Sequence, residues 1–510
     1  MRGTSSISSL RPSVVLAIAC LVLHALANGR YGFFRDELYF IVCGGRPDWG
    51  YVDQPAVVPL LASWSHALFG DFLWGFRLLP ALVMSVTVAA TAEFARLIGG
   101  GRFAQWLAGL CVLLAPVFLL WGVLFFTDMF QPLTWLGLAW VLVRLEQTGD
   151  ERWWLAFGAI AGFSFETKYT VAFFLAALAV GLLFTPRLKS LGRPWIYLGA
   201  LVAGLMVLPN LLWQQAHGWP FLELGKAAVD GKNLVMSPPA FLLQQLVYIG
   251  PWAAPVWICG LWACLTKPQP PAARAFAVAW LALMAALVVL HGKPYHPSGV
   301  YPALLAFGAQ RIEAWTQGPR PAPGVRGAVL AGVTALGLLI APFTLPVLPI
   351  EVFIRYQKAI GFMPQVGERL TTAALPQYYA DMFGWPQMAA KVAAVYRSLP
   401  SGERARAVFY GENYGEAAAI DVFGPRLGLP PAISGHNQYF LWGPRGHDGS
   451  VMIIAGGSPR HYADLFRRFD VAGHLDGPYA MPYETDQPIY VLRDMKTPLG
   501  TFWPQAKSYH

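Results

Sequence analysis

The chain has 510 residues, of which 56% are hydrophobic and only 13% are charged. Soluble domains carry about 25% charged residues, so the composition excludes a protein that is soluble throughout. The apolar residues fall in runs of about 20, the length that crosses a bilayer, which predicts a polytopic α-helical membrane protein. The net charge of +9 fits lysines and arginines kept on the cytoplasmic side, and no basic, aromatic-interleaved stripe suggests nucleic acid as a partner.

The first apolar run, Val14–Ala27, follows Arg2 and Arg11 and ends in small residues. Two interpretations stay open: a signal peptide with a small-residue cleavage site, and a first membrane span that is retained. The many apolar runs that follow favour the retained span. Under either interpretation, the polar segment that begins at Asn28 is expected on the exported side of the membrane.

Later apolar runs are also predicted to cross the membrane, which makes about eleven spans with the first. Their predicted limits are Trp74–Ile98, Phe103–Leu120, Met129–Leu145, Trp153–Phe165, Val171–Phe184, Trp195–Trp213, Leu242–Leu265, Phe276–Leu290, Tyr301–Trp315 and Gly327–Leu345. With the N-terminus inside, every inner connection is basic, as the positive-inside rule requires. We therefore expect a multi-pass protein of the bacterial inner (cytoplasmic) membrane whose first loop and C-terminus are extracytoplasmic.

The first outer connection, Asn28–Leu73, contains two stretches with the apolar spacing of helices, Glu37–Val42 and Ala56–Phe69. Aromatic residues such as Trp64 suit the interface between lipid and water. Proline and glycine residues between the two stretches interrupt any single long helix. The pattern predicts two amphipathic helices that lie along the outer surface, joined by Gly44–Gln54.

The composition changes after Leu345, which divides the chain into a transmembrane domain over residues 1–345 and a soluble domain over residues 346–510. Strand-like and helix-like runs alternate in this second part, which predicts a small extracytoplasmic α/β domain. The predicted strands are Ala405–Tyr410, Val451–Ala455 and Pro488–Leu492, and the predicted helices are Pro386–Leu399, Glu412–Phe423 and Arg460–Phe469.

Polar side chains at the predicted outer ends of the spans collect on one side of the membrane. The candidates are Asp36, Glu37, Asp53, Asp128, Glu166, Lys168, Tyr169, Lys226, Lys293, Tyr295 and His296. Transfer from a phosphate-linked donor needs a carboxylate that takes a proton from the acceptor, and cations or a metal ion that stabilise the departing phosphate. Adjacent acids at a membrane boundary are costly unless they are solvated, paired or used. We therefore predict that Asp36 is the general base of a sugar transferase.

These candidates could also have purely structural roles. Asp36 would serve as a cap for the helix that begins beside it, and Asp128 lies at a helix start, where the dipole favours a carboxylate. Structural roles for the rest would be an ion pair between Glu166 and Lys168, an ordinary loop acid at Asp53, and an interfacial turn that holds Lys293 and His296.

Two segments of the first outer loop, Phe34–Tyr39 and Trp49–Pro55, resemble the corresponding loop of the glycosyltransferase family 39 superfamily. That superfamily includes protein O-mannosyltransferases, aminoarabinose transferases for lipid A and galacturonosyltransferases of lipopolysaccharide core. The resemblance covers about residues 10–345 and implies the GT-C fold. It also implies a sugar donor linked to polyprenyl phosphate, used outside the cytoplasmic membrane.

The resemblance also implies roles for single residues. The acid after the first span is the catalytic base of the superfamily and corresponds to Asp36. The second acidic position, near the start of the fourth span, corresponds to Asp128, which we expect to be catalytic too, either orienting the acceptor or holding a divalent cation. Tyr51 lies in the matching loop and is expected to bind substrate. The aminoarabinose transferases carry an acid-Lys-Pro sequence where this chain has Asp53-Gln54-Pro55, so aminoarabinose is not favoured as the sugar. The phosphate contact of that lysine is absent here or comes from Lys168, Lys226 or Lys293.

The C-terminal part contributes two further points. The segments Asp381–Trp385 and Asn413–Ala417 resemble tails of bacterial members of the superfamily, without implying a mechanism. The histidines of this region are expected at the surface, because their spacing matches no zinc pattern. They are His436, His447 and His461.

The favoured hypothesis is an inverting glycosyltransferase that moves a sugar to a lipid, glycan or protein acceptor of the cell envelope. A divalent cation is a further expectation, with Asp53 as its candidate ligand, and no other cofactor is expected. A transporter or lipid flippase is the alternative, which would place ionisable residues near the bilayer midplane and show a repeated half-structure. A non-catalytic scaffold is a third hypothesis, which leaves the acids and lysines of the outer face unexplained.

Overall fold

The computed structural model describes residues 11–229, 235–317, 324–362 and 374–509. The helices in the first part of the chain are α1 (Pro12–Ala27), α2 (Arg35–Gly44), α3 (Val57–Phe69), α4 (Leu73–Phe76), α5 (Leu78–Leu97), α6 (Arg102–Leu113), α7 (Pro116–Val123), α8 (Gln131–Thr148), α9 (Trp153–Thr167) and α10 (Val171–Leu182). The next are α11 (Pro194–Ala216), α12 (Pro220–Ala227), α13 (Pro238–Ile249), α14 (Ala254–Thr266), α15 (Ala273–Val289), α16 (Tyr301–Thr316), α17 (Val325–Ile340) and α18 (Ile350–Ile360). The last are α19 (Gln377–Ala380), α20 (Trp385–Ser398), α21 (Ser401–Arg404), α22 (Tyr414–Phe423), α23 (Gln438–Trp442), α24 (Pro459–Leu465) and α25 (Leu499–Phe502).

The chain forms two compact units, each made of separate segments. The first unit consists of Met1–Gly29, Trp74–Leu212 and Leu234–Pro349, and the second of Arg30–Leu73, Trp213–Asn233 and Ile350–His510. The predicted boundary near residue 345 lies close to the last change of unit. The second unit, however, also takes in the first outer loop, which the sequence did not group with the C-terminal part.

The first unit is helical. Its described helices include three that are long and apolar enough to cross a membrane, Leu78–Leu97, Pro194–Ala216 and Val325–Phe343. Three bent helix pairs raise that number to six if each pair forms one span. The prediction of about eleven spans is therefore not confirmed, while the predominantly helical fold of this part is.

Two of the bent pairs interrupt runs that the sequence predicts as single spans. α6 and α7 meet at an angle of 63°, and α13 meets the segment Pro251–Thr266 at 96°. A proline begins the second half of each pair, at Pro116 and Pro251. Proline lacks the amide hydrogen that a continuous helix needs at these positions, which explains the breaks.

The second unit contains the one sheet assigned among the described residues. Its strands are β1 (Ala407–Tyr410), β2 (Val451–Ala455), β3 (Phe466–Leu475) and β4 (Gln487–Met495), in the order β1-β2-β4-β3. β1 is parallel to β2, and the other two pairings are antiparallel. The predicted small sheet with helices is confirmed.

The predicted end of one helix in this unit is wrong. The run predicted as helix over Arg460–Phe469 ends as a helix at Leu465, and Phe466 begins β3. β3 pairs only with β4 at an edge of the sheet, and most of its residues are not buried. An edge strand tolerates charged side chains such as Arg467, which hides the strand pattern in the sequence.

α2 also differs from the predicted surface helix. Its residues from Glu37 to Gly44 are all buried, and it packs against α3 and α22 in the second unit. The run Leu38–Val42 is apolar on every side, and such a helix is buried and not amphipathic. α3 matches the prediction better, because Trp64 and Leu68 are exposed on it.

Candidate functional site

In the second unit, the candidate base lies in the first turn of α2. The main-chain N of Phe34, before the helix, donates to Glu37 Oε2 at 2.8 Å. The fully buried Glu37 is thus the acid that caps α2, which accounts for it without a substrate. The Asp36 side chain is 25% exposed and is not part of this cap. The capping role therefore belongs to Glu37 and leaves Asp36 available for chemistry.

Two neighbours contact the Asp36 carboxylate. Tyr414, the first residue of α22, donates its hydroxyl to Asp36 Oδ1 at 2.7 Å. Arg35 places its Nε 3.7 Å from the same oxygen. Burial raises the pKa of Tyr414, and the nearby Asp36 charge raises it further, so the hydroxyl keeps its proton and acts as a donor. A carboxylate held by these two contacts is placed to act as a base.

Asp53 lies in the same unit but is held differently. Its Oδ1 accepts the hydroxyl of Tyr39 at 2.9 Å, and its Oδ2 accepts Asn437 Nδ2 at 3.3 Å. The Tyr39 and Tyr414 rings are 4.6 Å apart, so Asp53 and Asp36 sit at two ends of one tyrosine pair. Tyr51 is buried, and its hydroxyl donates to the Cys43 carbonyl at 2.8 Å, which gives it a structural role.

The expected metal ion finds little support around Asp53. Both carboxylate oxygens already accept hydrogen bonds from Tyr39 and Asn437. No group of three or more His, Cys, Asp or Glu side chains that could hold a metal occurs in the described ranges. The donor set does not fit a metal ion, so no step below uses one, and the metal stays a prediction.

In the first unit, Asp128 and Lys168 form an ion pair in which Lys168 Nζ donates to Asp128 Oδ2. Lys168 Nζ also donates to Thr127 Oγ1 at 3.2 Å. The pairing of Lys168 with Glu166 that the sequence left open is therefore wrong. Asp128 is buried, and a buried carboxylate needs such a partner.

The same lysine belongs to a cationic cluster. Lys168 Nζ and Lys293 Nζ lie 5.7 Å and 5.9 Å from the centre of the Tyr295 ring. The neighbouring His296 accepts Gln131 Nε2 on its main-chain oxygen at 3.0 Å. Burial lowers the pKa of His296 far below its usual range, and the charges of the two lysines lower it further. Its imidazole is therefore neutral at physiological pH.

Three candidates are placed apart from these contacts. The buried Tyr169 accepts Asn210 Nδ2 on its hydroxyl at 3.1 Å. Glu166 is half-buried, and its Oε1 makes no hydrogen bond to the residues that the structure describes. Lys226 is exposed on α12 in the second unit and is not among the contacts of Asp36 or Asp53. Their substrate roles stay predictions.

The structure adds residues that the sequence did not propose as site residues. Tyr414 and Asp381 contact the Arg35–Asp36 step, and Asn437 contacts Asp53. Tyr414 and Asp381 lie in the two tail segments that resemble the superfamily, so the resemblance singled out these segments. It did not indicate that they would contact the first outer loop. His436 is also corrected, because it is buried and its Nδ1 accepts the main-chain N of Tyr414 at 3.3 Å.

The chemistry available in each unit is clear from these contacts. In the second unit, a partly exposed carboxylate with one hydroxyl donor and one arginine is able to accept a proton from a bound alcohol. In the first unit, two ammonium groups beside an aromatic ring and a neutral imidazole are able to bind an anion such as a phosphate.

Comparison with known proteins finds similarity to sugar transferases. A sequence model for the family described as dolichyl-phosphate-mannose-protein mannosyltransferase matches residues 53–213. The lipid A galacturonosyltransferase RgtD of Rhizobium johnstonii is 27% identical over 187 residues. That match covers 36% of this chain and 39% of the relative, so the chain spans well under half the length of this curated relative.

The fold has close counterparts among solved structures. ArnT from Cupriavidus metallidurans, solved bound to undecaprenyl phosphate, superposes with a TM-score of 0.61 at 15% identity, covering 94% of this chain and 97% of that one. The apo state of the same protein gives a TM-score of 0.58 with the same identity and coverage. At this identity the likeness establishes the fold. Together with the sequence matches, it confirms the predicted resemblance to the GT-C glycosyltransferase superfamily.

Proposed function

Because this chain resembles the GT-C glycosyltransferases in sequence and in fold, we propose that it is a membrane glycosyltransferase with Asp36 as its general base. The donor is a sugar linked to polyprenyl phosphate, and the acceptor is a hydroxyl group of an envelope lipid, glycan or protein. The observation that carries the proposal is the partly exposed Asp36 carboxylate, held by Tyr414 at 2.7 Å. The fold that surrounds it is shared with an enzyme solved with undecaprenyl phosphate.

The proposed reaction is a single displacement with inversion. Asp36 takes the proton of the acceptor hydroxyl, whose oxygen forms a bond to the anomeric carbon of the sugar. The bond from that carbon to the phosphate oxygen breaks, and its electron pair leaves with polyprenyl phosphate. The products are the glycosylated acceptor, the lipid phosphate and a proton on Asp36, which passes to water on the exported side.

The cationic cluster of the first unit is the proposed phosphate site. Lys168 and Lys293 supply positive charge that stabilises the leaving phosphate more than the bound diester, since the phosphate gains charge as the bond breaks. The neutral imidazole of His296 adds a hydrogen-bonding group without adding charge. Asp128 holds Lys168 in place through their ion pair and is a positioning residue in this scheme.

The test compares Asp36→Asn with Asp48→Asn in cells that lack the chromosomal gene. Asp48 is an exposed acid of the same loop, so it controls for the loss of one charge. Mass spectrometry of extracted lipids and envelope glycans should show that Asp36→Asn accumulates a polyprenyl-phosphate sugar and lacks one glycan. Asp48→Asn should restore the glycan.

Membrane levels of both variants are measured by immunoblot, because a protein that fails to insert would mimic a dead enzyme. An Asp36→Asn variant that restores the glycan at normal abundance would refute the assignment of the base. Loss of a flippase for the same lipid-linked sugar would give the same result in cells. The purified protein separates the two, because a transferase changes the mass of the acceptor and a flippase leaves donor and acceptor unchanged.

A further inference from the structure

The C-terminal part of the second unit contacts the proposed base directly. The Tyr414 hydroxyl at the start of α22 lies 2.7 Å from Asp36 Oδ1, although 378 positions separate the two residues. Resting on the proposed function of Asp36, we propose that Tyr414 is a positioning residue that fixes this carboxylate for proton abstraction. The C-terminal segment would then be part of the catalytic machinery.

The Tyr414 side chain is itself firmly placed. It is buried, and its ring packs at 4.6 Å against that of Tyr39. Its main-chain N donates to His436 Nδ1 at 3.3 Å. A donor whose ring and backbone are both fixed leaves the accepting carboxylate oxygen little freedom to rotate, which is what a general base requires.

Arg35, the second neighbour of Asp36 Oδ1, is held by the C-terminal part of the same unit. Arg35 donates its main-chain N to the Asp381 carbonyl at 3.1 Å, and its guanidinium lies 3.7 Å from Asp381 Oδ2. A second donation from Arg35 goes to the Tyr483 hydroxyl at 3.2 Å. The guanidinium carbon is 5.3 Å from the centre of the Tyr414 ring. Tyr414 and Arg35 therefore form one packed group beside Asp36 Oδ1.

Gly415 is required for this packing. A Cβ at this position would lie 2.3 Å from Arg35 Cγ and 2.7 Å from Arg35 Cδ, so no larger residue fits while the arginine keeps its place. Gly415, which follows Tyr414, therefore packs directly against Arg35, which precedes Asp36. This packing joins the tail segment Asn413–Ala417 to the Phe34–Tyr39 segment. The sequence resemblance of the tail implied no mechanism, and the packing gives the tail one.

The charged and titratable groups of this region are known from the contacts of both elements. They are Arg35 and Asp36 on α2, Asp53 in the loop, Asp381 before α20, Tyr414 on α22, and Tyr483 and Glu484 before β4. Replacing Tyr414 by phenylalanine changes none of the charges in this set. It removes the hydroxyl that contacts Asp36 Oδ1 and keeps the aromatic ring.

The experiment uses full-length protein purified in detergent. The substrate is an envelope extract of cells that lack the gene, which contains lipids, glycans and proteins, and the product is measured by mass spectrometry. Tyr414→Phe should lower kcat by about tenfold to a hundredfold, with KM nearly unchanged. A loss confined to kcat, with KM and thermal stability retained, is a result that a purely structural role would not give.

The matched control is Tyr439→Phe, which also removes a buried tyrosine hydroxyl of this unit, one that donates to Asp421 at 3.0 Å. It should keep the wild-type kcat and KM, and thermal unfolding of both variants reports any loss of folding. A Tyr414→Phe enzyme with wild-type kcat, beside an inactive Asp36→Asn, would overturn the role of Tyr414 and leave the proposed function intact. An active Asp36→Asn enzyme would overturn both proposals.

Discussion

Glu416, in the first turn of α22, has a carboxyl group whose environment favours its neutral form. It is buried, and its oxygens accept the main-chain N of Glu412 at 2.8 Å and Asn413 Nδ2 at 3.0 Å. Burial, together with the nearby Glu412 carboxylate, raises the pKa of Glu416 to about 8. The folded protein therefore holds a proton that the unfolded chain releases near pH 4.5.

This difference predicts how stability depends on pH. Between about pH 4.5 and about pH 8, the folded state binds more protons than the unfolded state, so stability falls as pH rises and levels off above that window. Glu416→Gln removes this titration. Thermal unfolding of the purified protein across the window should show wild type losing stability relative to Glu416→Gln as pH rises.

Glu403→Gln is the control, because the hydrogen bond from Arg493 lowers the pKa of Glu403. The contribution of Glu403 is lost only in more acidic solution, so its variant should differ from wild type by a constant amount above about pH 6. Parallel stability curves for wild type and Glu416→Gln would show that Glu416 is ionised in the folded protein.

At the scale of single residues, the sequence identified the acids of the candidate site but not the side chains that contact them. Asp36 and Glu37 are adjacent and chemically alike, yet one is a helix cap and the other is available to substrate. The difference depends on which carboxylate reaches Phe34 N and which meets Tyr414, a contact that spans 378 positions. No local pattern encodes a contact of that length. Cap chemistry, in contrast, is local, so a Glu at the third helical position was a readable signal.

At the scale of elements, α2 and α3 cross unusually closely. A Cβ on Gly44 would lie 2.0 Å from the Pro59 carbonyl oxygen and 2.7 Å from Ser63 Cβ. Gly44→Ala should therefore force the two helices apart and cost about 1–3 kcal/mol of stability, as overpacking of a core does. The measurement is the thermal unfolding midpoint of the purified variant.

Gly225→Ala provides the matched control for this prediction. Gly225 also lies in a helix of the second unit, α12, and no atom lies within 4 Å of an added Cβ. Alanine favours a helix over glycine by up to about 1 kcal/mol, so this variant should be neutral or slightly more stable. Equal midpoints for the two variants would mean that α2 and α3 adjust without cost.

Most elements were predictable because their signals are local. β1, β2, α20 and α22 lie within a few residues of the predicted limits, since runs of apolar residues and flanking turn residues mark them. α2 and β3 were misjudged for a different reason. Their burial or pairing depends on what they pack against, and that partner lies far away in the chain. The prolines at 116 and 251, however, were visible breaks inside the predicted spans.

At the scale of the whole molecule, the second unit combines three segments separated by long helical stretches. The sequence predicted a C-terminal domain and an outer loop but had no means of joining them, because composition changes mark boundaries and not associations. The joining has a topological consequence. If Arg30–Leu73, Trp213–Asn233 and Ile350–His510 form one body, each helical stretch between them crosses the membrane an even number of times. The predicted spans satisfy this parity, although their number is not confirmed.

Cysteine labelling tests this arrangement in intact cells. Asp48→Cys, Gln215→Cys and Ser401→Cys place one exposed thiol in each of the three segments, and the five native cysteines are buried and protected. A maleimide that cannot cross the membrane should label all three from the exported side. Thr148→Cys, in a predicted inner connection, should react only after permeabilisation. Labelling of Asp48→Cys and Ser401→Cys from opposite sides of the membrane would show that the first outer loop and the C-terminal segment do not form one body. Labelling of all three only after permeabilisation would place Asp36 on the cytoplasmic side. Asp36 could not then be the base of a transferase that acts on the exported side.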